Sequence, residues 1–394
     1  MSNDFDALRL MTPGGDDGYA HFNAAGAALM DQSVLNVLTE HQQLEARIGG
    51  YEAARQARDA IESFYPTFAR LLNAAPDEIA FMENATRAWQ AVFYSLAFKP
   101  GDRILTCENE YASNYIAYLQ RARRDGVEID VAPTTDTGDM DVAALEAMVN
   151  DRTRLISITH VPTSSGSVAP AAEIGAVAKK YGVPYLLDAC QSVGQMPIDV
   201  AAIGCDMLSA TGRKYLRGPR ATGVLYVSRA MQATLEPYVL DLHSAEWTAR
   251  AEYDVRNDAR RFENWEQNIA GKLALARAGE NAAKIGLDRL YDRIQDLAAT
   301  LRAALRRTPG VEVLDRGAAL CGIVAFNVDG WAGEAVRAAL FERGVAVSVI
   351  DGWNTRIDAE RRGLNEVVRA SVHYYTNEAD IEKLIAALRG LMRS

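Results

Sequence analysis

Residues 185–219 read YLLDACQSVGQMPIDVAAIGCDMLSATGRKYLRGP, and the fold can be worked out from this segment outward. Two short apolar runs, 185–188 and 207–210, predict buried strands. The first run ends in Asp188, and the second leads through small and hydroxylated residues to Lys214. Residues that directly follow the strands of a parallel sheet lie at its ligand-binding edge. We therefore expect the Asp188 carboxylate and the Lys214 amine to meet at that edge.

Strand and helix patterns alternate on both sides of this segment. Such alternation is typical of an α/β fold, in which a mainly parallel sheet has helices on both faces. The further predicted strands of this part are 78–81, 103–107, 155–161 and 223–227, and the predicted helices begin near Thr86 or span 114–124 and 171–181.

The last third of the chain has a different pattern. Residues 268–307 are almost entirely helical in periodicity, and short strands and helices follow them. This predicts a smaller α+β domain that packs on the first. We place the large domain at 20–262 and assign 1–19 and 263–394 to the small one. The predicted strands here are 311–314, 322–328, 346–350 and 367–372, and the predicted helices are 333–343 and 377–392.

The composition excludes several classes of protein. The chain has 394 residues with 42 basic and 52 acidic side chains, so its net charge is −10. This balance argues against a protein that binds nucleic acid or an anionic membrane, because both need a basic surface. The four cysteines lack CxxC spacing, which indicates reduced thiols in the cytoplasm and no zinc site. No apolar run approaches the length of a membrane span, and we expect no signal peptide.

Lys214 and Asp188 carry the chemistry that the sequence suggests. A partly desolvated lysine can form a Schiff base with an aldehyde cofactor, although a surface lysine is the alternative. An aspartate that closes a buried strand can pair with a protonated pyridine nitrogen, cap a helix or bind a metal. Together the two are what a pyridoxal phosphate site requires. We expect the other six lysines on polar helix faces or in turns: Lys99, Lys179, Lys180, Lys272, Lys284 and Lys383.

Motifs along the whole chain support a family resemblance. FNAAG at 22–26, the aspartate strand, the lysine loop and RASV at 369–372 occur in order. On these motifs the chain resembles the class V aminotransferases, which are fold-type I pyridoxal phosphate enzymes and include cysteine desulfurases and isopenicillin N epimerase-like proteins. The resemblance implies a mainly parallel seven-stranded sheet sandwiched by helices, a smaller α+β C-terminal domain, bound pyridoxal phosphate and a homodimer.

The resemblance also implies cofactor contacts. Lys214 corresponds to the lysine that binds the cofactor aldehyde and carries protons, and Asp188 to the partner of the ring nitrogen. Gln191 corresponds to the residue that reaches the phenolic oxygen. Ala85 and Thr86 stand at the start of a predicted helix, where backbone amides and a hydroxyl would meet the phosphate.

Three further positions depart from the family pattern. Thr211 and Arg213 stand where the family usually has a serine and a histidine on the same phosphate, and arginine can replace histidine with a bidentate contact. Tyr111 occupies the place of the histidine that desulfurases stack over the ring. A tyrosine can stack but cannot act as the same acid near neutral pH. This difference favours altered chemistry.

The resemblance places a substrate site opposite the cofactor. Arg369 corresponds to the arginine that holds the substrate carboxylate, and Asn23 belongs to the same site. Thr163 stands where an asparagine often contacts cofactor and substrate. We expect His160 to be a structural histidine, hydrogen-bonded near a strand end.

One absence bears on the reaction. Desulfurases of this family carry a nucleophilic cysteine on a loop shortly before the carboxylate-binding arginine, but residues 349–366 contain no cysteine. Cys321 lies well upstream of this loop, and we expect Cys190, beside the aspartate, to have a packing role. A desulfurase that forms a persulfide on the enzyme is therefore disfavoured.

Three segments resemble the lyase and epimerase-like branch, which includes ergothioneine-pathway carbon–sulfur lyases. They are 49–51, 163–166 and 262–266, and the first and last could equally serve core or interface packing. The sequence thus favours a carbon–sulfur β-lyase that acts on an S-substituted cysteine or a cysteine sulfoxide. An epimerase or an aminotransferase would use the same residues, and a cofactor-bound sensor or sulfur-relay module is the non-enzymatic alternative.

Overall fold

The computed structural model of the chain describes residues 2–392. Its helices are α1 Ser2–Leu10, α2 Ala24–Ala27, α3 Gln32–Ile48, α4 Gly50–Gln56, α5 Arg58–Glu62, α6 Phe64–Leu72, α7 Ala85–Phe93, α8 Ala112–Asp125, α9 Val142–Met148, α10 Ala171–Tyr181, α11 Val200–Ile203, α12 Arg229–Gln232, α13 Ile269–Ile285, α14 Leu287–Arg306, α15 Gly333–Glu342, α16 Arg356–Arg362 and α17 Glu378–Leu391. Short 3₁₀ turns span Pro76–Glu78, Ala259–Phe262 and Gly352–Thr355.

The strands form two main sheets and two small pairs. They are β1 Ala20–His21, β2 Ile79–Met82, β3 Arg103–Cys107, β4 Glu128–Ala132, β5 Thr153–Thr159, β6 Tyr185–Asp188, β7 Met207–Thr211, β8 Gly223–Val227, β9 Ala245–Ala249, β10 Glu252–Val255, β11 Val311–Val313, β12 Ile323–Val328, β13 Val345–Ala346, β14 Ser348–Asp351 and β15 Glu366–Ser371.

The large sheet has seven strands in the order β2-β8-β7-β6-β5-β3-β4. Strands β7, β6, β5, β3 and β4 are parallel, and β8 is antiparallel to both of its neighbours. The predicted α/β architecture with a mainly parallel seven-stranded sheet is therefore confirmed. The parallel strands bring their carboxyl ends, and the loops that follow them, to one edge.

Helices cover both faces of this sheet because its strands are apolar on both sides. Leu186 and Leu187 are neighbours in β6, yet they belong to two separate hydrophobic clusters. The cluster of Leu186 includes Trp89 of α7 and Tyr118 of α8, whereas that of Leu187 includes Phe68 of α6. Adjacent side chains of a strand point to opposite faces, so a continuous apolar run needs cover on both.

The C-terminal part forms a four-stranded antiparallel sheet in the order β11-β12-β15-β14. A buried ion pair beside this sheet joins Arg302 of α14 to Asp315, with Nε and Oδ2 2.8 Å apart. The Arg302 guanidinium also donates to the carbonyls of Cys321 and Ile323, so it fixes α14 to the sheet. The smaller α+β unit is thus present, while the exact domain boundaries stay a prediction.

The N-terminal segment reaches this second part. Strand β1 pairs in parallel with β13, and Asn23 bridges to Ser371 at the end of β15. The chain therefore brings residues of its first 25 positions beside the strand that carries Arg369. Within the described residues, no helix combines the length and the apolar character needed to cross a membrane.

Candidate active site

Lys214 and Asp188 follow neighbouring strands of the large sheet. Asp188 is the last residue of β6 and pairs with Ser209 of β7, and Lys214 lies three residues beyond the end of β7. Both groups therefore stand at the carboxyl edge of the sheet, as the sequence predicts. They are close enough that the Asp188 carboxylate influences the titration of the Lys214 amine.

The turn that carries Lys214 is held by an arginine. Arg217 has a left-handed φ of 61°, and its N–H donates to the Lys214 carbonyl over 2.8 Å. A non-glycine residue adopts this conformation only when its surroundings compensate the strain. The Arg217 guanidinium donates to Leu29 O and Thr12 Oγ1, both at 2.7 Å, and lies over the Tyr374 ring. These contacts hold the loop in one conformation and restrict the positions that the Lys214 side chain can take.

Burial changes the titration of Lys214. Removal of its ammonium from water lowers the pKa to about 8, and the nearby positive charges of Arg213 and Arg369 act in the same direction. The Asp188 carboxylate opposes this effect without cancelling it. About a tenth of Lys214 is therefore a free amine at pH 7, far more than for an ordinary lysine, and this is the form that attacks an aldehyde or accepts a proton.

Asp188 is buried and partly satisfied. Its Oδ1 accepts from the Cys190 N–H at 3.0 Å, and its Oδ2 accepts from Asn114 Nδ2 at 2.9 Å. No lysine or arginine within residues 2–392 makes an ion pair with it. A carboxylate has about four acceptor sites, so Asp188 can accept a further bond from a cationic donor.

The predicted phosphate site lies where α7 begins. The Asn84 side chain caps the helix by accepting from Arg87 N at 2.9 Å, and Ala85 is buried at its first position. Gly223 of β8 approaches this turn so closely that a Cβ there would lie 3.1 Å from Ala85 N. Gly223 pairs with Thr211 of β7. The fold thus brings the helix start and the end of β7 together.

The other predicted phosphate ligands flank this place. Thr86 is exposed at the second position of α7, and Thr211 is buried at the end of β7. Arg213 is half-buried, and burial lowers its pKa, with the charge of Arg220 adding to the effect. The charges of Arg213 and Arg220 act on each other, and such a pair of guanidinium groups favours an anionic ligand.

Gln191 and Tyr111 complete the predicted cofactor contacts. Gln191 is buried, its Nε2 donates to the Ala25 carbonyl at 3.3 Å, and its Oε1 has no hydrogen-bond partner. Tyr111 is half-buried directly before α8, and its backbone N–H donates to Glu110. A buried acceptor without a partner is costly, so Oε1 is open to a ligand hydroxyl.

The three predicted substrate residues meet at one guanidinium. Arg369 donates to Thr163 Oγ1 at 2.7 Å and to Asn23 Oδ1 at 3.3 Å, and its Nε donates to Ser348 Oγ at 3.1 Å. Arg369 is only 3% exposed, yet within residues 2–392 it has no carboxylate partner. Burial accordingly lowers its pKa to about 10. Its uncompensated charge favours the binding of an anionic ligand.

Burial raises the pKa of all four cysteine thiols. Burial raises the pKa of the Cys321 thiol to about 11 and that of Cys190 far above its ordinary value, with the Asp188 charge adding to the latter. Burial also raises the pKa of Cys107 and Cys205. The segment 349–366, which contains no cysteine, forms the end of β14, a 3₁₀ turn and α16.

His160 has the structural role expected from the sequence. Its Nδ1 lies 2.9 Å from Ser192 Oγ, directly after β5, and burial lowers its pKa to about 4. It is therefore neutral and engaged in holding two loops together.

The structure corrects one expectation, that for Lys272. This residue lies within α13 but is 2% exposed, and its Nζ donates to Tyr65 Oη at 2.6 Å and Gln267 Oε1 at 3.1 Å. The Glu263 carboxylate lies 3.4 Å from the same ammonium. The polar neighbours that stabilise the buried ammonium come from α6 and from the residues before α13, so the periodicity of α13 alone could not indicate it.

The segments 49–51 and 262–266 come together at this cluster. They contribute to a cavity of about 450 Å³, with Tyr51 and Trp265 at its wall and Lys272 and Tyr65 deeper inside. This cavity does not include Lys214, Asp188 or Arg369. Within one chain, the two segments therefore line a cavity that is separate from Lys214.

The sequence of this chain is similar to those of known proteins along almost its whole length. The family profile described as Aminotransferase class-V matches residues 20–384. A "Probable cysteine desulfurase" of Methanothermobacter thermautotrophicus is 30% identical over 373 residues, which are 93% of this chain and 93% of that protein. A "Cysteine desulfurase" of Synechococcus elongatus is 29% identical over 376 residues, which are 93% of this chain and 60% of that protein.

Solved structures show the same fold. The apo cysteine desulfurase of Thermococcus onnurineus has a TM-score of 0.91 and 25% identity, and the match covers 98% of both chains. The cystine C–S lyase C-DES, in complex with its reaction product cysteine persulfide, has a TM-score of 0.87 and 25% identity over 96% of this chain and 99% of that one. Because the family profile and both structures extend along nearly the whole chain, this protein belongs to the class V aminotransferase family of fold-type I pyridoxal phosphate enzymes.

Proposed function

We propose that this enzyme is a carbon–sulfur β-lyase that acts on an S-substituted cysteine or a cysteine sulfoxide and forms no persulfide on its own chain. The observation that carries the proposal is the lack of a reactive thiol. Residues 349–366 contain no cysteine, and the thiol of Cys190, which lies near Lys214, has a strongly raised pKa. A thiol, unlike a thiolate, is a poor nucleophile toward sulfur.

The residues at the carboxyl edge of the sheet fit pyridoxal phosphate. The unpartnered Gln191 Oε1 can accept a bond from a phenol hydroxyl, and the open side of Asp188 can accept one from a pyridinium. Gly223 has no side chain, and a Cβ there would lie 3.1 Å from Ala85 N, so its absence keeps the backbone N–H groups at the start of α7 available to a phosphate. The residues proposed to hold the cofactor are Ala85, Thr86, Tyr111, Asp188, Gln191, Thr211, Arg213 and Lys214.

The substrate is bound through its carboxylate. Arg369 offers a buried guanidinium whose only partners are neutral, and Thr163 and Asn23 fix its orientation. A bidentate contact between this guanidinium and an α-carboxylate supplies the missing negative charge. The contact holds the amino acid in one orientation and limits the position of its Cα proton.

Lys214 moves the proton. With its pKa lowered to about 8, the amine is in part unprotonated at neutral pH, and it accepts the proton from the substrate Cα. When bound, pyridoxal phosphate supplies an electron sink that stabilises the resulting carbanion. The Asp188 carboxylate would stabilise a positive charge on the ring nitrogen, and Arg369 keeps the substrate carboxylate in place.

The sulfur group then leaves from Cβ. The electron pair at Cα forms the Cα–Cβ double bond, and the Cβ–S bond breaks with its electrons on sulfur, as a thiolate or a sulfenate. Water converts the remaining three-carbon fragment to pyruvate and ammonia. No protein sulfur takes part, which agrees with the raised pKa values of the cysteines. The similarity to a cystine C–S lyase is consistent with this chemistry.

An epimerase or an aminotransferase would use the same residues, so the test must separate the three reactions. We would incubate the cofactor-loaded enzyme with S-substituted cysteines and cysteine sulfoxides in heavy water and follow proton NMR. Pyruvate together with a released sulfur product supports the lyase. Exchange of the α-proton without elimination would refute it and favour an epimerase or aminotransferase. Lys214→Ala, which lacks the proposed base, is the control.

Two further predictions accompany this proposal. The enzyme acts as a homodimer in the cytoplasm, as the family resemblance and the reduced thiols suggest. Exposed apolar side chains, including Tyr51, Trp247, Tyr253 and Trp265, support an interface with a second copy. Sedimentation at micromolar concentration tests the dimer.

A further inference from the structure

A second buried carboxylate lies behind the proposed cofactor site. Glu110 is 2% exposed and has no lysine or arginine partner within residues 2–392. Burial raises its pKa and the Asp188 charge adds to this effect, whereas the hydrogen bonds from Thr159, Asn114 and the Tyr111 N–H lower the pKa and so favour the charged form. Its two oxygens instead accept five hydrogen bonds, from the hydroxyls of Thr106, Tyr118 and Thr159, the amide of Asn114 and the backbone N–H of Tyr111. A group as costly to bury as this calls for an explanation beyond packing.

Asn114 connects this carboxylate to the site. Its Nδ2 lies 2.9 Å from Glu110 Oε1 and 2.9 Å from Asp188 Oδ2. An amide nitrogen carries two protons, so each one is committed to one carboxylate. Rotation of the amide would place its oxygen against both negative charges. The two carboxylates therefore fix the amide, and the amide fixes Asp188.

Glu110 also holds the other proposed ring contact. The backbone N–H of Tyr111 donates to Glu110 Oε1 at 2.8 Å. One carboxylate thus orients both the residue proposed to meet the ring nitrogen and the residue proposed to stack on the ring. The titratable groups that interact electrostatically with Glu110 include Cys107 of β3, Tyr118 of α8 and Asp188 of β6.

We propose that Glu110 is a positioning residue that acts through Asn114 on Asp188 and thereby keeps the ring nitrogen of the bound cofactor protonated. The inference rests on the proposed role of Asp188 but not on the identity of the substrate. Glu110 contributes a negative charge one amide away from Asp188, in a site shielded from water. Loss of that charge lowers the protonation constant of the ring nitrogen about tenfold.

Glu110→Gln separates charge from geometry. The new amide oxygen can still accept from Asn114 and Tyr111, and the new NH₂ group faces the hydroxyls of Thr106 and Tyr118, which can rotate to accept. Asn114→Ala does the opposite, because it keeps the charge and removes the bridge. Tyr118→Phe is the matched control, since it removes one bond to Glu110 on the side away from Asp188.

The measurement is ¹⁵N NMR of cofactor labelled at the ring nitrogen and bound to each holoenzyme, from pH 6 to pH 9. We expect a protonated nitrogen throughout in the unmodified enzyme and in Tyr118→Phe. In Glu110→Gln and Asn114→Ala we expect a neutral fraction that grows with pH. An unchanged ¹⁵N shift in both variants would overturn the proposal. If Glu110→Gln does not fold, Asn114→Ala alone decides.

Asp188→Asn separates a failure of the proposed role of Asp188 from a failure of the inference about Glu110. If it leaves the nitrogen protonated, the proposed role of Asp188 is wrong, and with it the path from Glu110. If it neutralises the nitrogen while the two new variants do not, only the inference about Glu110 fails. As a second readout, a cofactor analogue with carbon in place of the ring nitrogen should abolish the rate difference between Glu110→Gln and the unmodified enzyme. A difference that persists would contradict action through the nitrogen.

Discussion

Arg369 offers a test in which activity should fall while stability stays nearly unchanged. Its guanidinium is 3% exposed and contacts neutral groups, whereas Arg302, 5% exposed, contacts the buried carboxylate of Asp315 at 2.8 Å. The two arginines are similarly buried but differ in whether the protein supplies a counter-charge. Arg369→Met and Arg302→Met therefore form a matched pair.

The magnitudes follow from the burial of the charge. A pKa of about 10 for Arg369, against an ordinary 12.5, corresponds to about 3 kcal/mol lost by holding the cation in the fold. Methionine removes this cost but also removes hydrogen bonds to Thr163, Ser348 and Asn23, worth about 1 kcal/mol each. The net change in unfolding free energy is about zero. Arg302→Met should instead lose about 3–5 kcal/mol, because it leaves Asp315 as an unpaired buried charge.

Urea denaturation of both variants, loaded with cofactor, measures this difference directly. In parallel, the rate of pyruvate release from an S-substituted cysteine should fall by about 10²–10³-fold in kcat/KM for Arg369→Met, since a buried pairing with the substrate carboxylate is lost. A loss of stability in Arg369→Met comparable to that of Arg302→Met would show that Arg369 has a structural partner and would refute the reasoning. Unchanged kcat/KM would refute the carboxylate assignment.

Three other perturbations have defined outcomes. The rate at which the apo enzyme takes up pyridoxal phosphate should rise with pH and level off above about 8, because the pKa of Lys214 is lowered to about 8; a rise that continues to pH 10 would contradict the burial effect. Burial alone would raise the pKa of Glu263, but the charge of Lys272 and further hydrogen-bond donors lower it to about 2. The stability that this carboxylate contributes to the fold is therefore complete above its ordinary pKa of 4.5 and disappears as the pH falls toward 2. Glu263→Gln should cost on the order of 3 kcal/mol in urea at pH 7 and about half of that at pH 3; an equal loss at both would exclude an ionic role. Gly223→Ala should weaken cofactor affinity in a spectroscopic titration, because the new Cβ would lie 2.8 Å from Asn84 C and 3.1 Å from Ala85 N and would displace the turn that begins α7. Gly50→Ala, which meets nothing within 4 Å, should not.

Several elements could be predicted from local sequence alone. The sequence predicts strands β3, β6 and β8 at their observed bounds, because a continuous apolar run between turn residues has few alternatives to a buried strand. The sequence pattern does not indicate strand β4. It lies at the edge of the sheet, and its Glu128 and Asp130 form ion pairs with Arg103 of β3, so its sequence lacks the apolar character of the central strands.

The sequence by itself also determined the chemical groups that stand after β6 and β7, and hence the family and its cofactor. Only the tertiary structure decided which of these groups meet. Asn23, Thr163 and Arg369 converge although they lie far apart along the chain. Glu110 and Lys272 were recognisable only through their partners, since neither a buried carboxylate nor a buried ammonium has a sequence pattern of its own. Burial and charge pairing depend on contacts between distant segments, and local periodicity does not carry that information.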